Sequence, residues 1–247
     1  MRILLTNDDG FGSVGIRALD EVLTKAGHEV WVCAPSEHKS STSHSLSFTD
    51  GKTPVEIEKN RYSFDGQPAD CIMTALGRKT ISFEPDVVIS GINAGFNLSI
   101  DILYSGTFGA ASEAALWGYK AIAISAESSQ DKNIYYSAAT FLSEHLDGFL
   151  SIMDTDCVLN INMPLSSDGK SWSIGRCFSL VHRDAAFPND KGVLLNGQRD
   201  IEKGIEDSDL ALCAKGLISV TPISVSPMIP SINVDKLDLM LASSNNN

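Results

Sequence analysis

Short apolar runs alternate with helical patterns along the first 165 residues, and this alternation restricts the possible fold more than any other feature. Strand-sized runs separated by helix-sized segments indicate βαβ units, which build a parallel sheet through right-handed crossovers. We therefore expect an α/β fold, a three-layer, Rossmann-like, mostly parallel sheet flanked by helices. The predicted strands are centred on Ile3–Leu5, Val30–Cys33, Asp86–Ser90, Ala121–Ser125 and Val158–Ile161.

Helical spacing and capping residues predict four helices between these strands. A weak alternation over residues 53–65 predicts an additional strand pair. Residues 34–50, which include six serines, and residues 91–106 are expected to be mostly loop. The first helix carries Ile16 to Ala26 and stops at Gly27, the second begins at Pro68, the third is capped by Thr107 and ends at Gly118, and the fourth carries Ile134 to Leu146.

The alternation ends near residue 165, and this divides the chain into two predicted parts. Residues 1–165 form the Rossmann-like core. Residues 166–247 form an extension, largely irregular, that packs on the core and on a neighbouring subunit. Within the extension we expect a strand at Leu217–Val220, a helix at Asp235–Leu241 and a disordered tail at Ser243–Asn247.

The charge of the chain argues against a nucleic-acid groove. The chain has 31 acidic and 19 basic residues, which gives a net charge of −12, and its Lys and Arg residues form no clustered run. Because nonspecific binding to nucleic acid depends on Lys and Arg contacts with phosphates, we expect no nucleic-acid partner. A small phosphorylated ligand remains compatible with this charge, since one metal ion and backbone N–H groups can outweigh it locally.

Cysteine usage and hydropathy favour a cytoplasmic protein that does not enter the membrane. The five cysteines are scattered, and none forms a Cys-x-x-Cys pair, which is typical of free thiols in a reducing compartment. No stretch approaches the roughly 18 apolar residues of a membrane-spanning helix. The first residues also lack the basic and apolar regions of a secretory signal.

Two adjacent acids, Asp8 and Asp9, follow the first predicted strand. In open α/β sheets the carboxyl ends of the strands face the ligand crevice. Neighbouring carboxylates repel each other there unless a cation lies between them, and a hard divalent ion with oxygen ligands is the simplest candidate. The alternative is that an acid near a helix N-terminus stabilises the helix dipole, by roughly 0.3–1 kcal/mol. This effect would explain one of the two acids but not two adjacent ones.

Polar residues after two other predicted strands should lie on the same edge of the sheet. Asn93 offers a neutral oxygen suited to Mg²⁺, Mn²⁺ or Ca²⁺, although a loop using Asn and Gly in left-handed turns is the alternative. Ser105, Gly106 and Thr107 lie where a loop enters a helix. Their hydroxyls and backbone N–H groups would suit an anion, and an ordinary helix cap is the alternative.

Gly10, Gly12 and Gly15 match the dinucleotide-binding fingerprint between a strand and a helix. The surrounding residues fit such a site poorly, because the acids at 8 and 9 would face the pyrophosphate. The second strand also ends in Cys33-Ala34-Pro35 and offers no acid for a ribose hydroxyl. We therefore expect these glycines to permit a tight turn and close helix packing.

Two of the five histidines, His38 and His44, lie in the serine-rich loop at the expected active edge. Each could act as an acid or base, and a solvated loop histidine is the alternative. No histidines have the paired spacing of a zinc site, and the chain has no Gly-x-Ser-x-Gly nucleophile elbow.

Six short motifs occur in a fixed order between residue 1 and about residue 225. They are Asn7–Gly10, Ala34–Pro35 followed by Ser40, Ser90–Asn97, Tyr104–Thr107, Leu159–Pro164 and Ser219–Pro222. Each motif is weak alone, but the ordered set is specific. It resembles the motif set of the SurE (survival protein E) nucleotidases.

The resemblance implies a divalent-metal-dependent phosphatase that hydrolyses nucleoside 5′-monophosphates, and often 3′-monophosphates, to nucleoside and phosphate. It also implies one Mg²⁺ or Mn²⁺ per subunit, a cytoplasmic location, and homodimers or homotetramers that exchange C-terminal segments. By the same resemblance, the metal ligands are Asp8, Asp9, Ser40 and Asn93, the phosphate-binding residues are Asn97, Ser105, Gly106 and Thr107, and the catalytic residues are Asp8, Asp9 and Asn97.

Two other classes of function stay open on the residues alone. One is a noncatalytic nucleotide- or phosphate-binding module built on the same sheet. The other is a dinucleotide-binding oxidoreductase that uses Gly10, Gly12 and Gly15.

Overall fold

A nine-stranded sheet lies at the centre of the structure, which is a computed structural model. The structure describes residues 1–47, 51–77, 81, 83–177 and 206–225, together with the backbone of four short strands between residues 182 and 199. The strands in chain order are β1 (Arg2–Thr6), β2 (Glu29–Pro35), β3 (Val55–Glu58), β4 (Arg61–Phe64), β5 (Val87–Ala94), β6 (Lys120–Ala126), β7 (Cys157–Met163), β8 (Trp172–Ile174), β9 (His182–Arg183), β10 (Ala186–Asn189), β11 (Gly192–Leu195), β12 (Gln198–Arg199) and β13 (Ile218–Ser224). The helices are α1 (Val14–Lys25), α2 (Pro68–Leu76), α3 (Gly106–Leu116), α4 (Asn133–Ile152) and α5 (Asp209–Ala214), with a 3₁₀ helix at Ser99–Leu103.

The order of strands in the sheet confirms the predicted α/β class. The order is β3-β4-β2-β1-β5-β6-β7-β13-β8, and the neighbouring pairs from β4 to β7 are all parallel. Among the described strands of this sheet, β3 pairs with β4 and β13 with β7 in the antiparallel sense, and β8 is parallel to β13. Strands β10 and β11 pair with each other, as do β9 and β12, outside this sheet.

Helices cover both faces of the sheet, as a parallel sheet requires. Helices α1 and α4 pack together on one face, where Leu19 and Leu142 are fully buried. Helices α2 and α3 pack together on the other face, which is lined by small and aliphatic residues such as Ala111, Ala123 and Ile72. The apolar stripes that the sequence showed on α1, α2 and α4 therefore point inward.

The parallel arrangement brings several polar segments to one edge. Strands β1, β2, β5, β6 and β7 run in the same direction, so the residues that follow them emerge side by side. The edge collects residues 7–10 after β1, residues 36–47 after β2 and residues 95–105 after β5.

Two predictions differ from the structure. Ser105, not Thr107, caps α3, because its hydroxyl accepts the Phe108 N–H at 3.0 Å, so that the helix begins at Gly106. The segment 91–106 is not all loop, since β5 continues to Ala94 and a 3₁₀ helix follows. The predicted helix at 235–241 and tail at 243–247 lie outside the described residues, and the division near residue 165 stays a prediction.

None of the helices in the described part of the chain combines the length and apolar character that crossing a bilayer would need.

Of the three glycines in the fingerprint, Gly10 and Gly15 occupy positions that favour glycine, and Gly12 does not. A Cβ atom on Gly15 would overlap the carbonyl oxygen of Ile92 in β5, so α1 can approach the sheet only with glycine here. Gly10 has a φ of +95°, which a tight turn requires and which favours glycine. A Cβ atom on Gly12 would meet nothing within 4 Å.

We expect Gly15→Ala to destabilise the protein by about 2 kcal/mol or more, because the new methyl group must push α1 away from β5. Gly12→Ala is the matched control and should change the unfolding free energy by no more than about 0.5 kcal/mol. Urea denaturation of the three proteins measures the difference. Equal stability of both variants would contradict the close packing of α1 on β5.

Candidate active site

The buried carboxylate of Asp8 joins β1 to the first turn of α3. Its side chain accepts two hydrogen bonds from Thr107, one from the hydroxyl at 2.6 Å and one from the backbone N–H at 3.1 Å. The residue is only 4% exposed, and both carboxylate oxygens are engaged. Asp8 is therefore held in one orientation by groups that belong to a different element.

Asp9, at the carboxyl end of β1, contacts β5 and the serine-rich loop. Its Oδ2 accepts the backbone N–H of Ala94 at 2.8 Å, and its Oδ1 lies 3.2 Å from Nδ1 of His38. The Asp9 side chain is 12% exposed, so it is more accessible than Asp8. The two acids are thus held by different elements, Asp8 by α3 and Asp9 by β5 and the serine-rich loop.

The electrostatics of the pair favour a bound cation. Burial raises the pKa of the Asp8 carboxyl above its usual value, the hydrogen bonds from Thr107 lower it, and the charge of Asp9 raises it again. Within the described residues, no Lys or Arg forms an ion pair with either acid. A cation between the carboxylates would offset both the burial and the mutual repulsion.

The available donors suit a hard divalent ion. Within the described part of the chain, no cluster of three or more His, Cys, Asp or Glu residues could hold a metal. Two carboxylates would therefore need to be completed by neutral oxygens, as Mg²⁺ and Mn²⁺ accept. Asn93 lies in β5 directly before Ala94, the residue whose N–H binds Asp9. These residues fit the implied ion in donor type and charge.

Ser40 lies in an exposed turn next to the acidic pair. The backbone N–H of its neighbour Lys39 donates to the carbonyl oxygen of Asp8 at 2.7 Å, which fixes the start of this turn beside β1. The side chain of Asn93 donates to the carbonyl oxygen of Gly95 at 2.9 Å. The structure brings the four predicted ligands to one edge, and their role as ligands stays a prediction.

The N-terminal turn of α3 is shaped by its contacts with Asp8 and the serine-rich loop. A Cβ atom on Gly106 would lie 2.8 Å from Oγ1 of Thr42 and 2.9 Å from Cβ of Asp8, so only glycine fits. The hydroxyl of Ser105 caps the helix, and that of Thr107 binds Asp8. Both hydroxyls predicted to bind phosphate therefore already have partners, and the phosphate site stays a prediction.

Asn97 is the most constrained of the predicted site residues. Its backbone N–H donates to Oδ1 of Asn162 at 2.9 Å, and its side-chain amide donates to Oγ of Ser125 at 2.9 Å. Its carbonyl oxygen accepts from the amides of Asn160 at 2.8 Å and Asn162 at 3.1 Å. The sequence reading did not identify these partners, although two asparagines two residues apart in an apolar strand were a detectable signal.

The two candidate histidines have different environments. His38 is largely exposed and lies beside Asp9. Nε2 of His44 lies 2.6 Å from Oε2 of Glu113 on α3, and the other oxygen of Glu113 accepts the indole N–H of Trp117 at 2.8 Å. His44 therefore binds α3 through a buried glutamate that the sequence reading missed.

The fold and these contacts can be compared with known proteins. The family model described as Survival protein SurE matches residues 3–183. This chain belongs to the SurE family. The match confirms the family that the six ordered motifs predicted.

Individual relatives match over most of the chain. A protein named 5′-nucleotidase SurE from Geotalea uraniireducens is 37% identical over 237 residues, which cover 90% of this chain and 92% of that protein. A protein of the same name from Treponema pallidum is 40% identical over 167 residues, covering 66% of this chain and 89% of that protein. The crystal structure of the SurE protein from Aquifex aeolicus superposes with a TM-score of 0.79 at 29% identity, and covers 92% of this chain and 95% of that one.

We expect Thr107→Val to destabilise the protein by about 1–3 kcal/mol, because it removes a buried donor to a carboxylate while keeping the side-chain shape. Thr24→Val is the matched control, since the Thr24 hydroxyl bonds to the carboxylate of Asp20 on the exposed surface of α1. The control should change stability by no more than about 0.5 kcal/mol. Denaturation in EDTA measures both, and similar losses would show that Asp8 does not depend on Thr107.

Proposed function

We propose that this SurE protein is a divalent-metal-dependent phosphatase that hydrolyses nucleoside 5′-monophosphates, and also 3′-monophosphates, to nucleoside and phosphate. The observation that carries this proposal is the buried acid pair at the carboxyl edge of the sheet. It occurs in a chain that aligns over nine tenths of its length with proteins named 5′-nucleotidase. Neither observation would suffice alone, because acid pairs serve many reactions and a fold does not define a reaction.

Asp8, Asp9, Ser40 and Asn93 are the proposed ligands of one divalent ion per subunit, either Mg²⁺ or Mn²⁺. Such an ion supplies charge that polarises a phosphoryl oxygen and lowers the pKa of a bound water. Hydrogen bonds from Thr107 and Ala94 hold the two carboxylates ready for the ion before it binds. This preorganisation reduces the rearrangement that binding would otherwise require.

The protein residues then position the phosphoryl group and neutralise its charge. Asn97, Ser105, Gly106 and Thr107 are the proposed phosphate-binding residues. The last three lie at the N-terminus of α3, where backbone N–H groups and the helix dipole favour an anion. Donors placed around the equatorial oxygens stabilise the charge that develops there. In this proposal water attacks the phosphorus directly and no covalent intermediate is required.

An attacking carboxylate is the alternative mechanism, and the structure distinguishes the two acids. Both oxygens of Asp8 are engaged by Thr107 and the residue is buried. Asp9 is more accessible, so a phosphoaspartyl intermediate, if formed, would form on Asp9. Trapping such an adduct during turnover would replace direct attack by water.

The location and assembly are part of the same proposal. The scattered cysteines and the resemblance to SurE nucleotidases support a cytoplasmic enzyme. The resemblance also supports a homodimer or homotetramer in which the segment after residue 165 packs on a neighbouring subunit. Light scattering of the purified protein measures the assembly.

Asp9→Asn should lower turnover at limiting metal by about 100-fold or more, because it removes one negative charge from the proposed ion site. Asp147→Asn on the exposed surface of α4 removes the same charge elsewhere and should leave turnover unchanged. Phosphate release from a panel of nucleoside monophosphates, with circular dichroism to verify folding, provides the measurement. Wild-type rates in folded Asp9→Asn would exclude this ion site.

The two rival functions give different outcomes with the wild-type protein. We expect Mn²⁺ or Mg²⁺ to support phosphate release and EDTA to abolish it. A noncatalytic module would bind nucleotide stoichiometrically and release no phosphate with either ion. A dinucleotide oxidoreductase would bind NAD(P) even in the presence of EDTA. The negative charges of the two acids near Gly10 disfavour such binding, because they would face the pyrophosphate.

A further inference from the structure

Two asparagines on β7 hold both backbone polar groups of Asn97. Asn162 accepts the Asn97 N–H at 2.9 Å and donates to its carbonyl oxygen at 3.1 Å. Asn160 donates to the same carbonyl oxygen at 2.8 Å. A single peptide segment is thus fixed by three hydrogen bonds from neighbouring side chains of one strand.

The spacing of the two asparagines makes this arrangement possible. Residues two apart in a strand point to the same face of the sheet, so Asn160 and Asn162 share the face on which α3 packs. Neither residue is exposed at all. Apolar side chains would fill these positions without the free-energy cost of burying two amides. Packing alone therefore does not explain why asparagines occupy both positions.

The neighbouring strand fixes the side chain of Asn97 as well. Ser125 on β6 is the register partner of Asn162, and its hydroxyl accepts a hydrogen bond from the Asn97 amide at 2.9 Å. An asparagine amide has two N–H donors, and this bond uses one of them. Ser125 therefore restricts the amide plane of Asn97 through one of its two N–H donors.

Two neighbouring buried oxygen atoms have no hydrogen-bond partner among the described residues. Oδ1 of Asn160 is inaccessible to solvent and makes no hydrogen bond among the described residues, and the same is true of Oγ1 of its register partner Thr221. The bond to Asn97 is thus the one polar interaction of the Asn160 side chain seen in the described structure. We therefore attribute the burial of the Asn160 side chain to its role in holding the backbone of Asn97.

We infer that Asn160 and Asn162 are positioning residues that hold Asn97 in the orientation needed to bind the phosphoryl group, an inference that rests on the proposed function. Among the described residues, their side chains bond to Asn97 and not to the acid pair. They act by restricting the backbone of Asn97, while Ser125 on the neighbouring strand separately restricts its side-chain amide. Displacing a binding group by about 1 Å can cost as much as about 100-fold in rate, so this restriction has a measurable effect.

Asn160 and Asn162 should affect the binding of phosphate and not the binding of the metal ion. Asn160→Ala and Asn162→Ala should raise the dissociation constant for inorganic phosphate, and KM, by about tenfold. Both should leave the dissociation constant for Mn²⁺ within about twofold, because the acid pair is held by Thr107 and Ala94. Isothermal calorimetry with MnCl₂ alone, and then with phosphate added to the Mn²⁺-loaded protein, measures both constants.

Thr221→Val is the matched control. It changes a buried polar side chain directly beside Asn160 without removing any bond to Asn97. It should leave both dissociation constants unchanged. If phosphate affinity falls equally in this variant, general disturbance of the strand explains the effect and the inference is wrong.

Ser125→Ala tests the same inference where the asparagine variants fail to fold. It removes the acceptor for the Asn97 amide and should weaken phosphate binding by a few-fold, again without altering Mn²⁺ binding. Unchanged phosphate affinity in a folded asparagine variant, or a parallel loss of Mn²⁺ and phosphate binding, would overturn the positioning role. Failure of the wild-type protein to release phosphate would instead count against the proposed function, since the calorimetry does not depend on turnover.

Discussion

The geometry of the site depends on two buried hydrogen bonds, which the hydroxyl and the backbone N–H of Thr107 donate to the carboxylate of Asp8. A buried carboxylate is costly unless its oxygens are bonded, so β1 and α3 cannot separate without a large loss of stability. Gly106 completes the contact, because a larger residue would collide with Thr42 and Asp8. The position of the Asp8 carboxylate therefore depends on the packing of α3 on the sheet.

The segment that follows β5 is fixed at three successive points. Asp9 binds the N–H of Ala94, Asn160 and Asn162 bind the backbone of Asn97, and the hydroxyl of Ser105 starts α3. A connection held this closely behaves as part of the rigid scaffold. That suits a reaction in which most of the rate acceleration comes from orienting a phosphoryl group and offsetting its charge.

Several residues have roles that their type alone did not reveal. The hydroxyls of Ser105 and Thr107 predict an anion site, and the structure adds that the first caps α3 and the second donates to Asp8. His44 suggested an acid or base, yet it binds Glu113 on α3. Hydroxyl and imidazole groups serve structural and chemical roles equally well, and the difference lies in which partner the fold brings within about 3 Å.

The sequence by itself determined the α/β class, most strands and helices of the first 165 residues but not the 3₁₀ helix, the SurE family, and the edge at which Asp8, Asp9 and Asn93 would meet. These features depend on local periodicity and on the direction of parallel strands, both of which can be read along the chain. Only the tertiary structure decided that Thr107 holds Asp8, that β7 holds Asn97 and that His44 is held by Glu113. Each of these contacts joins residues more than 60 positions apart, and such distant pairs come together only when the strand order and helix packing are in place.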